Sequence, residues 1–259
     1  MRDSDRTRQA YSFGAAAGAY AEHRPDYPAA AVRWALEEAP GPRVLDLGAG
    51  TGKLTAVLRD VGVETTAIEP DHAMLAELRR AVPGVRALTG AAESIPLPDA
   101  SVDAVVAGNT MHWFDMEGAG LEISRVLVPG GVLAGLWNVV DDRIPWVAEL
   151  TRVCGPETIG PRDTPAGWRG EAAALDLGRF GSPTQAEFPH RHGRTAGSLV
   201  AALATRAGML VMPEEKRATR LEEIRAFLAS RPETAVGEFD VPLVTCVLRV
   251  IGRRPPRRL

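Results

Sequence analysis

The segment Val44-Leu45-Asp46-Leu47-Gly48-Ala49-Gly50-Thr51-Gly52 constrains this chain more than any other. A short apolar run passes directly into three alternating glycines. Leu54, Val57, Leu58 and Val61 then recur at i, i+3, i+4 and i+7, one face of a helix. Glycine is needed where a chain turns sharply or where a ligand must approach the backbone with no Cβ in the way. A strand, a glycine turn and a helix N-terminus in succession form the place where open α/β sheets bind ligands.

Alternation continues on both sides of this loop. Pro28 opens a helix that ends near Pro40, and strands are expected at 43–47, 64–69, 85–89, 101–108 and 132–138. Asp71 can cap a helix with Met74, Leu75, Leu78 and Val82 on its apolar face. A helix over 117–127 is stopped by Pro129-Gly130-Gly131. Strands joined by helix-length connections imply a parallel sheet with right-handed crossovers, an α/β doubly wound, Rossmann-like core. Beyond Asn138 the pattern loosens. A helix carries Trp146, Val147, Leu150 and Val153, and the Pro- and Gly-rich stretch 155–170 reads as loop. A strand is expected at 183–192, helices at 199–210 and 221–228, and a last apolar strand at 241–251. This divides the chain into 1–40, a core over 41–138, and helical insertions plus the last strands over 139–259.

Composition excludes several function classes. A net charge of −3 over 259 residues argues against nucleic acid or an acidic membrane surface as partner. Cys154 and Cys246 stand in no CxxC or CxxH spacing, so neither a disulfide framework nor a zinc site is expected, and His190 and His192 read as surface residues with no matching carboxylate. No metal is expected. The run Val132 to Val140 is far too short for a bilayer, Met1 to Asp5 offers no apolar leader, and the chain reads as cytoplasmic.

Three ligand classes use glycine loops. A phosphate loop needs four residues between its first Gly and a Gly-Lys pair followed by Ser or Thr; here Gly48 and Gly52 enclose three, and Leu54 follows Lys53. The dinucleotide fingerprint is Gly-x-Gly-x-x-Gly, and the spacing here is Gly-x-Gly-x-Gly. Asp46, two places before the first glycine, is foreign to that fingerprint and suits a ligand carrying an ammonium group.

At Asp46 the chain resembles the first motif of class I S-adenosyl-L-methionine (SAM)-dependent methyltransferases. Ile68-Glu69-Pro70, Gly90-Ala91-Ala92-Glu93 with Pro96-Leu97-Pro98, and Glu122 to Gly131 resemble the later motifs in the expected order. Tyr20 to Pro28 and His112-Trp113-Phe114 are similar to the small-molecule branch that includes methyltransferase type 11, ubiquinone-biosynthesis-like and trans-aconitate methyltransferase proteins. The resemblance implies a seven-stranded, mostly parallel sheet with the last strand antiparallel, and an N-terminal lid and first helix over 1–40. It implies SAM as cofactor, held by Tyr20, Arg24, Asp46, Gly48, Ala49, Gly50, Glu69, Pro70, Met74, Ala92, Glu93 and Asn109. A small-molecule acceptor would be lined by Trp113, Phe114 and Trp137, with His112 as the candidate general base.

Each residue also has a plainer reading. Asp46 and Glu69 can cap the turns that follow them, Glu93 can brace its loop, and Asn109 can stabilise a turn. His112, Trp113 and Phe114 can pack. A non-catalytic SAM- or adenosyl-binding regulatory module and an NAD-linked oxidoreductase remain as alternatives.

Overall fold

The computed structural model describes residues 24–174, 177 and 180–252; Tyr20 and the basic tail after Gly252 lie outside them. In chain order the elements are α1 (Ala29–Leu36), β1 (Arg43–Leu47), α2 (Lys53–Asp60), β2 (Glu64–Glu69), α3 (His72–Ala81), β3 (Arg86–Thr89) and β4 (Val102–Gly108). A 3-10 turn (Met111–Trp113), α4 (Met116–Val126) and β5 (Leu127–Val140) follow. Then come α5 (Pro145–Cys154), a second 3-10 turn (Pro161–Asp163), α6 (Pro165–Ala174), β6 (Thr184–Thr195), α7 (Ala196–Ala204), α8 (Ala207–Leu210), α9 (Glu214–Ala229) and β7 (Glu238–Ile251).

The sheet order is β3-β2-β1-β4-β5-β7-β6. The pairs β1 with β2, β1 with β4, β2 with β3 and β4 with β5 are all parallel. The N–H of Gly252 donates to the Gly131 carbonyl at 2.7 Å, and that of Asp141 to Pro242 at 3.1 Å, so β7 runs antiparallel to β5. The isolated bridge between Phe180 and Gly252 is antiparallel too, and Gly181 N–H donates to Ile251. From β1 the chain steps outward to β2 and β3, then crosses back to place β4 on the other side of β1. Ligands bind in such sheets where that reversal occurs, outside the carboxyl ends of the strands.

Two compact units make up the chain. One comprises the described residues within 26–137, 174–188 and 245–252. Its core gathers Ala31, Val32, Val44, Leu54, Leu58, Val106, Val132 and Val247, the inward faces of α1, α2 and the central strands. Asp71 caps α3 as expected, accepting from the N–H groups of Ala73 and Met74 at 2.8 and 3.0 Å, and Met74, Leu75, Leu78 and Val82 are all buried. The other unit comprises the described residues 24–25, 138–173 and 189–244. There Trp146, Val147, Leu150, Leu199, Val200, Leu203, Ile224 and Leu228 share a core from α5, α7 and α9. Cys154 is buried in it, and burial pushes its thiol up to about 12, far from any reactive thiolate.

Four boundaries differ from the sequence reading. Pro129-Gly130-Gly131 does not precede β5 but lies within it: Val102 pairs with Leu127 and Ala104 already with Val132, a bulge that absorbs the surplus residues. The stretch 155–170 is not all loop, because α6 begins at Pro165 and buries Trp168. Gly167 is there for close packing; a Cβ on it would collide with the Pro161 carbonyl. The helix expected at 199–210 breaks into α7 and α8 around Thr205, and α9 starts seven residues before the expected Leu221. His190 and His192 are half-buried on β6 rather than on the surface, and burial lowers the His190 pKa, helped by the charge of His192.

Candidate active site

The glycine loop is built from backbone that only glycine takes easily. Gly48, Gly50 and Gly52 have φ of +69°, +56° and +88°. The N–H groups of Gly48 and Ala49 both donate to the Ile68 carbonyl, at 2.9 and 3.0 Å, pinning the loop to the end of β2. A Cβ on Gly48 would sit 2.6 Å from the Thr110 hydroxyl, whereas one on Gly50 would meet nothing within 4 Å. The first glycine is therefore demanded by the fold, and the second faces open space at the β1 end.

Two buried carboxylates flank this loop. Asp46 is fully buried, and its Oδ2 accepts the Thr55 hydroxyl at 2.6 Å. Its Oδ1 has no hydrogen-bond partner, and neither has the buried Thr51 hydroxyl. Burial pushes the Asp46 carboxyl up to about 7; the Thr55 bond pulls it down and the charge of Glu69 raises it further. Glu69, at the end of β2, accepts Gly50 N–H at 2.8 Å on one oxygen and Asp71 N–H at 2.9 Å on the other. Burial raises its pKa against those two bonds. Each Glu69 oxygen keeps a lone pair beyond the N–H it accepts. Glu69 thus ties the loop to the cap of α3, which includes the plainer role anticipated for it.

The other expected residues fall as follows. Ala49, Met74 and Ala92 are buried and Pro70 is exposed in the same unit. Glu93 is exposed and accepts Asp115 N–H at 2.9 Å, bracing the start of α4. Asn109 has a left-handed φ of +53° just past β4, a conformation that asparagine tolerates better than most side chains. That turn leads into the 3-10 turn carrying His112. The Trp137 indole N–H donates to His112 Nδ1 at 3.4 Å, and the rings of His112 and Trp113 lie 4.8 Å apart. Phe114 and Trp137 are buried, and Trp113 is half-buried. Arg24 belongs to the other unit, and there its charge bears on Asp163. Burial pushes the Asp163 carboxyl up, but Arg206, Gly160 N–H, Arg24 and Arg162 together hold it low.

Sequence reading assigned no role to Thr55 or to the Glu122–Arg125 pair. Thr55 is a polar residue at a buried position of α2, nine places from the acid it serves. Glu122 and Arg125 stand at i and i+3 on α4, and that spacing was the available signal. Arg125 pairs with Glu122 and Asp99 and donates to the Ile95 and Leu97 carbonyls at 2.9 and 2.8 Å. Glu122 accepts Ile95 N–H at 2.8 Å and is held down to about 2, chiefly by Arg125. The pair clamps the segment after Glu93. Among the described residues, no three His, Cys, Asp or Glu side chains gather as a metal set, and no helix is long and apolar enough to cross a membrane.

Comparison with known proteins adds a family. A methyltransferase domain model matches residues 45–135. An uncharacterized methyltransferase of Mycobacterium tuberculosis is 39% identical over 245 residues, 92% of this chain and 94% of its own length. A methyltransferase-like protein of Schizosaccharomyces pombe is 34% identical over 203 residues, 76% of this chain and 78% of its own. Among solved structures, a candidate type II methyltransferase from Anaeromyxobacter dehalogenans superimposes with a TM-score of 0.62 at 27% identity, covering 89% of this chain and 97% of that one.

Proposed function

Since this chain belongs to the class I SAM-dependent methyltransferases, we propose that it holds SAM at the glycine-loop end of β1 and β2 and methylates a small-molecule acceptor. The observation that carries the reading is the Asp46 carboxylate, buried beneath the loop with one oxygen unpartnered. An unsatisfied buried acceptor is costly, and the ammonium of a bound amino acid moiety is the kind of group that relieves it. Asp46 would hold that ammonium, directly or with Thr51, and the second lone pairs of Glu69 would accept the two ribose hydroxyls. Gly48, Ala49 and Gly50 would present backbone to the ligand, with Pro70, Met74, Ala92, Glu93 and Asn109 around the adenosine. Tyr20 and Arg24 are proposed for the methionine end from the resemblance.

SAM supplies a methyl group already activated by the positive sulfonium. What remains for the protein is to orient the acceptor, exclude water and handle any proton the acceptor carries. Trp113, Phe114 and Trp137 supply apolar walls for that task, and His112 the one polar ring among them. The family assignment removes the oxidoreductase alternative. We read the protein as cytoplasmic, acting on a soluble metabolite without nucleic acid or membrane.

Incubating the protein with a metabolite extract and SAM carrying an isotope-labelled methyl group tests this reading. A labelled small molecule that forms only with active protein is expected. SAM binding with no labelled product in any extract would favour a regulatory module instead.

A further inference from the structure

We propose that the Glu122–Arg125 pair on α4 sets the selectivity of the nucleoside end of the site for its base, by fixing the main chain of the turn after β3. The proposal rests on the SAM reading, in which residues 90–93 border the adenosine. Both side chains act through that turn and are positioning residues.

The turn itself is poor in side-chain chemistry. Gly90, Ala91 and Ala92 carry no polar side-chain atom, and the exposed Glu93 uses one oxygen to accept Asp115 N–H at 2.9 Å. What can read a base edge there is main chain, carbonyl oxygens as acceptors and N–H groups as donors. Adenine offers an amino donor beside a ring-nitrogen acceptor. Hypoxanthine, with an oxo group in place of the amine and a proton on that nitrogen, reverses both. Main-chain groups discriminate between the two only if they are held in place, because a hydrogen bond weakens steeply as its distance and angle drift.

Little regular structure holds this stretch. Between β3 and β4 there is only an isolated antiparallel bridge from Ala91 to Ser94, and Pro96 and Pro98 have no N–H to donate. The order comes from α4. Ile95 and Leu97 bury their side chains in the core, and their carbonyls accept from the Arg125 guanidinium at 2.9 and 2.8 Å. Ile95 N–H donates to Glu122 at 2.8 Å, and both oxygens of that carboxylate accept from Arg125, at 2.7 Å each. Such a two-pronged charged pair fixes direction as well as distance. Its hold reaches the start of the turn, because a Cβ on Gly90 would sit 2.7 Å from Pro96 Cδ. Downstream, Ala100, with a left-handed φ of +49°, and Ser101 donate to the Arg125 and Val126 carbonyls at 2.9 and 2.8 Å. Arg125 holds the Glu122 carboxyl down to about 2, so the pair stays ionised throughout the neutral range.

Calorimetry with S-adenosylhomocysteine and its deaminated analogue S-inosylhomocysteine tests this in wild type, Arg125→Lys and Glu122→Gln. Lysine keeps the charge but not the fork, and glutamine keeps the size and an acceptor, so both variants are expected to fold. Wild type should prefer the adenine ligand by about tenfold or more, as a site that hydrogen-bonds a ligand edge does. In both variants that preference should shrink by at least about threefold, the lower end of what one misplaced hydrogen bond costs. The tightening of binding from pH 6 to pH 8 that Asp46 imposes should be retained, since the methionine end is untouched. Equal weakening of both ligands with the preference intact would overturn the proposal and leave the pair a purely structural tie. A wild type indifferent to the base, or variants that lose the pH dependence, would overturn it as well. Absence of S-adenosylhomocysteine binding to wild type would instead refute the cofactor site, a separate failure.

Discussion

The glycine loop at the carboxyl end of β1–β2 and the aromatic group of His112, Trp113, Phe114 and Trp137 by β4 and β5 lie in one unit but are made of different materials. At the first, left-handed glycines, backbone N–H groups and the buried carboxylates Asp46 and Glu69 define the surface. At the second, a histidine, two tryptophans and a phenylalanine do, and the backbone serves to aim them. A backbone-built site is tied to the fold and suits one invariant ligand; a side-chain-built site can be remodelled without disturbing the sheet. On the proposed assignment, cofactor binding and acceptor choice are separable, and substitutions at the two ends should affect different measurements.

The strongest perturbation is expected at Gly48. Alanine there meets a φ of +69° and the Thr110 hydroxyl at 2.6 Å. Left-handed backbone alone costs about 1–2 kcal/mol per non-glycine residue. Gly48→Ala should therefore lower the melting temperature by several degrees and abolish SAM binding. Gly50→Ala, with no collision, should cost stability about 1 kcal/mol and act chiefly on the ligand. Equal thermal loss in both variants would show that loop strain alone, and not contact with Thr110, sets the requirement.

Asp46 comes next, through its pH dependence. Its carboxyl titrates at about 7 in the folded protein and near the ordinary value of about 4 when unfolded, so the fold binds the extra proton between those limits. Stability of the ligand-free protein should fall as pH rises from about 4 to about 7, because there the unfolded state has already released that proton. A ligand ammonium prefers the ionised carboxylate, so S-adenosylhomocysteine should bind more tightly as pH rises from 6 to 8 and should release a proton on binding at pH 6. Asp46→Asn should flatten both profiles and weaken binding about 10–100-fold, the size of a lost hydrogen bond to a charged group. Binding that is indifferent to pH in wild type would contradict the assignment of the ammonium to Asp46.

Glu69→Ala removes the acceptor for Gly50 and Asp71 N–H as well as the proposed ribose grip. Its expected effect is a similar loss of affinity with a smaller loss of stability, and unchanged affinity would leave Glu69 only its structural ties. Trp113→Ala should change turnover and acceptor preference while calorimetry finds affinity for S-adenosylhomocysteine within about twofold of wild type. A large loss of cofactor affinity there would collapse the distinction between the two ends. Smallest of all should be Glu93→Ala, an exposed side chain with one bond to Asp115 N–H, at under about 1 kcal/mol of stability.

The contrast between the two ends also explains what the sequence made legible. Strand, glycine loop and helix follow one another locally, so β1 through β4, the Asp71 cap and the placement of Asp46 and Glu69 at strand ends could be read from spacing. Pairings that depend on distant residues could not. The hydrogen bond between Trp137 and His112 spans 25 positions and rests on Gly135, whose role no periodicity reveals. The same holds for α6, where glycine and proline suggest loop until Gly167 is seen packed against Pro161. The bulge that takes Pro129–Gly131 into β5 is likewise a consequence of pairing with β4.

The central claim is that the buried, half-partnered Asp46 beneath the glycine loop is made for the amino acid end of a SAM-type ligand. Isothermal calorimetry of the wild-type protein with S-adenosylhomocysteine at pH 8 and pH 6 tests it most directly. Binding in the micromolar range, about −8 kcal/mol, tighter at pH 8 and accompanied by proton release at pH 6, is the expected result. No measurable binding at either pH would contradict it.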